Sequence, residues 1–323
     1  MRTIVAADVG GTHARFALAQ IEGGHVASLD DVVTLKTAEH ASFQLAWQEF
    51  GHRKGIDLPA ELALSFAGPV EGEVLKLTNN PWVIRRALMK ERLGVDRFTI
   101  VNDFGAIAYA VAELPPEHFQ HLCGPGQPLP DRGVISIIGP GTGLGVAALL
   151  RQGDGTYQVI ETEGGHIDFA PLDSLEDKIL QQLRRNFRRV SVERIVSGRG
   201  LWNLYEALCA LENRPTEFHD ETALWTAATN ASDSVAAAAL DRLCLSLGAV
   251  AGDLALVQGG VAVVIAGGVG YRLAKRLPLS GFRDRFIAKG RFERRMDEMP
   301  VKLITYPEPG LFGAAAAFAR EHP

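Results

Sequence analysis

Three glycine-rich turns and a few strand-end acids are the residues here whose types and spacing could do chemistry. In Asp8-Val9-Gly10-Gly11-Thr12 an acid precedes two glycines and a threonine. Consecutive glycines leave backbone N–H groups uncovered, so a phosphate can approach them without meeting a side chain. Asp8 could hold a magnesium ion through water, as hard cations prefer, while Thr12 adds a hydroxyl and Arg15 a charge for a transferred phosphate. The same residues also suit an ordinary hairpin turn. A second loop, Gly139-Pro140-Gly141-Thr142-Gly143-Leu144-Gly145, begins the G-x-G-x-x-G spacing without completing it. Strand-like residues 146–150 follow it instead of a helix, which excludes a dinucleotide fingerprint. No Gly-x-x-x-x-Gly-Lys-Ser/Thr occurs, which excludes a P-loop kinase. Gly267 and Gly268, in Ala266-Gly267-Gly268-Val269, taken singly suit helix–strand packing.

Asp103 follows the apolar run 97–101 and precedes a segment of small residues. The C-terminal ends of strands are where α/β proteins place chemistry. Asp103 there suits a general base for an alcohol, with Asn102 beside it to hydrogen-bond a hydroxyl; it equally suits a helix cap. Glu163-Gly164-Gly165-His166-Ile167-Asp168 reads as a clamp for sugar hydroxyls, with Glu163 and His166 as its polar groups. A metal site from His166 and Asp168 lacks a cysteine or second histidine to complete its shell, and a purely structural loop is a third reading. Glu193 can be a plain surface acid and Asn79 a plain turn residue.

The elements that must position these groups alternate between strand and helix. The apolar run at 4–7, the alternation at 14–19 and the segments 31–35, 61–67 and 97–101 predict strands, and Ser42 predicts the start of a helix through Phe50. A Pro- and Gly-rich stretch at 113–132 predicts a crossing between two lobes. Strands return at 133–138, 261–266 and 301–304, with helices dominating 175–257 and a small-residue helix at 311–320. Interleaving of this kind gives the α/β class, and one glycine-rich strand-turn-strand unit per half hints at duplication.

Composition narrows the function classes. The chain has 323 residues, 47% of them apolar and 22% charged, which suits an ordinary soluble globular protein of two domains or one large one. A net charge of -5 gives no field that would draw nucleic acid, and the basic pairs at 184–185 and 188–189 read as a solvated helix face. Three unpatterned cysteines imply a reducing cytoplasm. Asp8 arrives too early for a secretory signal core, and the apolar stretch 254–269 is too short and glycine-broken to span a bilayer. No membrane partner is expected.

Taken in order, these segments resemble the bacterial glucokinase family of the non-ROK type, similar to the enterobacterial enzyme, almost end to end. Asp8-Val9-Gly10-Gly11-Thr12-His13-Ala14-Arg15 looks like its first phosphate motif and 139–145 like its second. Val101-Asn102-Asp103-Phe104 resembles its catalytic segment, 163–171 its sugar loop, 191–198 its second sugar segment and 265–269 its adenosine motif. The family often has Asn in place of His13 and a small residue in place of Pro140, and the zinc-binding cysteine cluster of ROK kinases is absent. The resemblance implies a two-lobed actin-like ATPase or sugar-kinase fold with an active-site cleft between lobes. One lobe would be 1–113 joined by 302–323, the other 114–301.

It further implies a cytoplasmic homodimer that transfers the γ-phosphoryl group of magnesium-bound ATP to the 6-hydroxyl of glucose. Asp103 would take the hydroxyl proton, and Asn79, Asn102, Glu163, His166 and Glu193 would bind the sugar. Asp8, Gly10, Gly11, Thr12, Arg15, Gly139, Gly141, Thr142, Gly143, Gly267 and Gly268 would hold the nucleotide, with Asp8 on the magnesium. The alternatives are a kinase for another hexose or a non-catalytic sugar-sensing protein on the same fold. A chaperone-like or filament-forming ATPase would need no Glu-Gly-Gly-His loop.

Overall fold

Strand β1 (Arg2–Val9) carries the first candidate acid at its C-terminal end and has no polar face. Its alternate side chains supply two cores. Val5, Ala7 and Val9 pack in one cluster with Phe43, Trp47 and Phe50, whereas Ile4 and Ala6 pack in another with Leu311, Ala314 and Phe318. A strand buried on both faces reads as the continuous apolar run seen at residues 4–7. The computed structural model describes residues 1–77 and 80–323 and divides into two units, Met1–Pro115 with Tyr306–Pro323, and Pro116–Thr305.

In unit 1, β1 pairs antiparallel with β2 (His13–Glu22), which is flanked by β3 (His25–Leu29) and β4 (Val33–Lys36). Helix α1 (Phe43–Lys54) is capped by Ser42, whose side chain accepts from the Leu45 amide. The parallel strand β5 (Glu61–Phe66), a small hairpin of β6 (Val74–Lys76) and β7 (Val83–Arg85), and α2 (Arg86–Leu93) follow. Then β8 (Arg97–Asn102) joins β5 in parallel and leads into α3 (Asp103–Glu113). The sheet order is β3-β2-β1-β5-β8. The C-terminal helix Pro309–Glu321 covers one face against α3. It does so closely: a Cβ on Gly313 would lie 1.7 Å from the Ala106 carbonyl oxygen.

The edge of this sheet differs from expectation. The strand expected at 31–35 is the edge strand β4, and β3 precedes it unforeseen. Gly23 and Gly24 both have positive φ, the turn that a Gly-Gly pair allows between β2 and β3.

Unit 2 begins with β9 (Phe119–Cys123), inside the Pro- and Gly-rich stretch read as a bare crossing. Strand β10 (Arg132–Pro140) forms a hairpin with β11 (Leu144–Gln152), and β12 (Tyr157–Thr162) extends it. Helices α4 (Ser174–Leu183), α5 (Gly198–Leu211), α6 (Glu221–Asn230) and α7 (Ser234–Val257) precede β13 (Gly260–Ile265). Short helices α8 (Gly267–Arg272), α9 (Phe282–Ile287) and α10 (Glu293–Asp297) lead to β14 (Val301–Ile304). The order β12-β11-β10-β13-β14-β9 repeats that of unit 1: an antiparallel hairpin with its extension on one side, two parallel strands on the other. The first two glycine-rich loops thus each form the turn of the antiparallel hairpin of their unit. Because β14 pairs with β13 and β9, the chain returns to unit 1 at Tyr306 and not at 302.

Helix α7 is long and apolar enough to cross a membrane, yet 72% of its most apolar window is buried. It is the central core helix of unit 2, with Leu240, Leu243, Leu247 and Ala251 fully covered.

Candidate active site

In unit 1 the sheet register gathers the first set of groups. Asp8 on β1 stands beside Arg15 on β2 and Ser65 on β5. Ser65 Oγ donates to Asp8 Oδ1 at 2.7 Å, and Arg15 Nη1 lies 3.7 Å from Asp8 Oδ2. Arg15 also faces Glu308, Nε to Oε2 being 3.5 Å. Burial pushes the Asp8 carboxyl above its usual range, opposed by the Ser65 hydrogen bond and by Arg15. The Glu308 carboxyl is likewise raised by burial, with Arg15 lowering it and Asp8 raising it further. A desolvated carboxylate of this kind gains from an added cation, so Asp8 fits a magnesium ion that keeps most of its own water.

The turn after Asp8 is closed by Gly10 N–H donating to His13 O at 2.9 Å. The Gly11 carbonyl is drawn inward by Thr37 Oγ1 at 2.7 Å and Asn80 Nδ2 at 3.3 Å. Among the described residues the Gly11 and Thr12 amides have no partner, which is the condition for receiving phosphate oxygens.

Asp103 and Asn102 sit at the same sheet edge, since Val9 pairs with Phe66 and Phe66 with Asn102 across parallel strands. The cap of α3 is Asn102, not Asp103: its Oδ1 accepts from the amides of Phe104 at 2.9 Å and Gly105 at 3.4 Å. Its Nδ2 donates to Gly68 O at 3.2 Å. Asp103 is thereby the first helical residue, half-buried, with Oδ1 accepting from Phe104 N at 3.0 Å. Acidic residues are favoured in the first turn of a helix, where the free N-terminal amides lie. Asn79 lies outside the described residues.

In unit 2 the two segments expected to bind sugar are stitched to each other and to the second glycine hairpin. Val192 N–H donates to Ile167 O at 2.9 Å, and Phe169 N–H to Val190 O at 3.0 Å. The Gly164–His166 turn presses on β11 so tightly that a Cβ on Gly165 would meet Leu144 O at 1.9 Å. Only glycine fits there. Glu193, on a short turn between Val192 and Arg194, accepts from the Leu144 amide through Oε2 at 3.0 Å. A Cβ on Gly143 would stand 2.4 Å from that same oxygen. Glu163 and His166 are exposed and face each other, Oε2 to Nδ1 being 3.7 Å. Asp168 is engaged by Arg189, and among the described residues no three His, Cys, Asp or Glu side chains come together as a metal site.

The hairpin tip is held by Gly141 N–H donating to Gly143 O at 2.8 Å, while Gly198 N–H, opening α5, donates to Gly141 O at 2.7 Å. Gly139, the next-to-last residue of β10, is in register with Gly145. Gly267 has φ of +77°, and a Cβ on it would lie 2.5 Å from Pro140 O, so its role is close packing against this hairpin. Gly268 instead opens onto space. With Gly141 and Thr142 it lines a cavity of about 900 Å³ that is also lined by α6.

Sequence reasoning missed Ser65, Glu308 and the α6 face. The first two are brought to Asp8 by strand register and by the chain's return, and no local spacing could reveal them. On α6, Thr222, Thr226 and Thr229 recur at helical spacing, a signal present in the sequence that no motif flagged.

A glucokinase family model matches residues 5–321. A glucokinase of Zymomonas mobilis is 62% identical over 99% of this chain and 98% of its own length. One from Paramagnetospirillum magneticum is 38% identical over 97% and 96%. Among solved structures, a glucokinase from an Antarctic psychrotroph superimposes with a TM-score of 0.85 at 32% identity, covering 98% of this chain and 99% of that one. The architecture is that of the two-lobed, actin-like sugar kinases.

Proposed function

The chain belongs to the glucokinase family, and from that premise we propose that Asp103 is the base with which it transfers the ATP γ-phosphoryl group to the 6-hydroxyl of glucose. The observation that best supports this assignment of parts is the Glu193–Leu144 hydrogen bond. It ties a segment expected to hold sugar to the tip of a hairpin expected to hold phosphate. Glucose hydroxyls are taken by Glu163, His166 and Glu193, and Asn102 is a further candidate for binding one. The amides of Gly11 and Thr12, and the hairpin tip at Gly141, Thr142 and Gly143, take phosphate oxygens.

In the reaction the O6–phosphorus bond forms, the bond from the γ-phosphorus to the bridging oxygen breaks, and ADP leaves. The O6 proton passes to the carboxylate of Asp103, the first residue of α3. There is little covalent work for the protein, so orientation and charge placement dominate. Arg15, half-exposed between Asp8 and Glu308, offers a guanidinium to the transferred group. Magnesium, when bound with ATP, neutralises charge on the β- and γ-phosphates, and Asp8 is the carboxylate that would hold it through water.

A reducing cytoplasm suits the three free, buried cysteines, and family resemblance suggests a homodimer, which light scattering in solution checks. ADP release measured with ATP over glucose, mannose, fructose and glucosamine tests the function. Glucose should dominate by a wide margin. Preference for another hexose would reassign the substrate, and no hexose-dependent release would turn the reading toward a sugar sensor.

A further inference from the structure

We infer that α6 selects the base of the phosphoryl donor, with Thr226 and Thr229 accepting hydrogen bonds from a 6-amino purine stacked on Arg272. The inference deepens the reading above, from which it takes the phosphate end of the cavity. That end is the hairpin tip with Gly268, where no atom lies within 4 Å of a Cβ built on Gly141 or Gly268. Helix α6 lines the same cavity through Thr222, Trp225, Thr226, Thr229 and Asn230, and we assign it the other end of the nucleotide.

Thr226 Oγ1 donates to Thr222 O at 2.8 Å, and Thr229 Oγ1 donates to Trp225 O at 2.7 Å. A hydroxyl has one hydrogen, so both side chains present only lone pairs to the cavity. Two outward acceptors welcome an exocyclic amino group and oppose a carbonyl, whose own lone pairs would face them unpaired. Asn230, one turn beyond Thr226 on the same wall, can donate or accept and so does not discriminate. A planar occupant is indicated by the neighbouring pair. Trp225 is buried, and the Arg272 guanidinium stands over its ring, 4.7 Å from the centroid. A guanidinium held on an indole offers its other face to a base. Arg199, also at this cavity, is instead paired with Glu221 at 3.3 Å and lies over the Trp202 ring.

The test is calorimetric binding of ATP and of ITP, each with magnesium and without glucose. ITP replaces the 6-amino group with a carbonyl and leaves the phosphates unchanged. The unmodified protein should bind ATP about tenfold more tightly, the size expected for one or two neutral hydrogen bonds. In the isosteric double variant Thr226→Val/Thr229→Val, ATP affinity should fall to that of ITP, and Thr226→Ser/Thr229→Ser should restore the preference. Arg272→Ala should weaken both nucleotides alike, by about tenfold. Equal affinities in the unmodified protein, or a preference that survives in the valine variant with an unchanged circular-dichroism spectrum, would overturn the assignment. Because binding is measured without turnover, the glucokinase reading fails separately: a protein that prefers ATP as described but makes no glucose 6-phosphate leaves the base assignment standing.

Discussion

Replacing Gly143 with alanine would separate the two roles proposed for the second hairpin. The new Cβ would stand 2.4 Å from Glu193 Oε2, whereas a relaxed carbon–oxygen contact is roughly 3.3 Å. The carboxylate must therefore withdraw by about 1 Å. Gly143 does not occupy the left-handed region, so alanine brings no backbone strain, and the displaced group is the end of a flexible side chain. The loss of stability is limited to the stretched bond from Leu144, about 1–2 kcal/mol for a charge-assisted hydrogen bond partly retained. Catalysis should suffer more, since a 1 Å misplacement of a positioning group costs on the order of 100-fold. Initial rates with glucose varied at saturating ATP, and the reverse, should show kcat/KM for glucose falling about 10- to 100-fold while the unfolding midpoint shifts little. Adding Glu193→Asp, which shortens the side chain by one methylene, should cost less in this background than in the parent. A loss confined to the KM for ATP would refute the reasoning, because Gly143 would then serve the phosphate by its openness alone.

Two further perturbations probe the scaffold. Gly313→Ala puts a Cβ 1.7 Å from the Ala106 carbonyl oxygen, where backbone faces backbone, and should cost about 3 kcal/mol or more. A drop of roughly 10 °C in the unfolding midpoint is expected, and an unchanged midpoint would contradict the close approach of α3 and the C-terminal helix. Burial pushes the Cys123 thiol up to about 12 and that of Cys244 to about 11, with Cys209 also raised by burial. A disulfide reagent at pH 8 should therefore label the three thiols only after denaturation, and rapid reaction of the native protein would contradict their burial.

What could be read from the sequence follows from where each signal is stored. Strands β1, β5 and β13 are buried on both faces and announce themselves as apolar runs. Strands β3, β9 and β12 lie toward sheet edges with mixed exposure, and their alternation is too weak to stand out from turns. Glycine told more than it appeared to: Gly165 and Gly267 are needed because a backbone carbonyl fills the space a side chain would take, whereas Gly141 and Gly268 face open space. Local reasoning weighed Asp103 as a cap, but the neighbouring Asn102 does that work and leaves Asp103 one step into the helix. Glu308 was out of reach, since it comes to Arg15 from nearly 300 residues away in sequence.

The measurement that bears most directly on the account is turnover by Asp103→Asn. Asparagine keeps the oxygen that accepts from Phe104 N–H but cannot take a proton at neutral pH. The rate of glucose 6-phosphate formation should fall at least about 100-fold, in the range for loss of a general base. Glucose binding measured by calorimetry should stay within a few-fold of the parent. Turnover close to the parent's, with the variant folded and binding glucose, would remove Asp103 from the role of base.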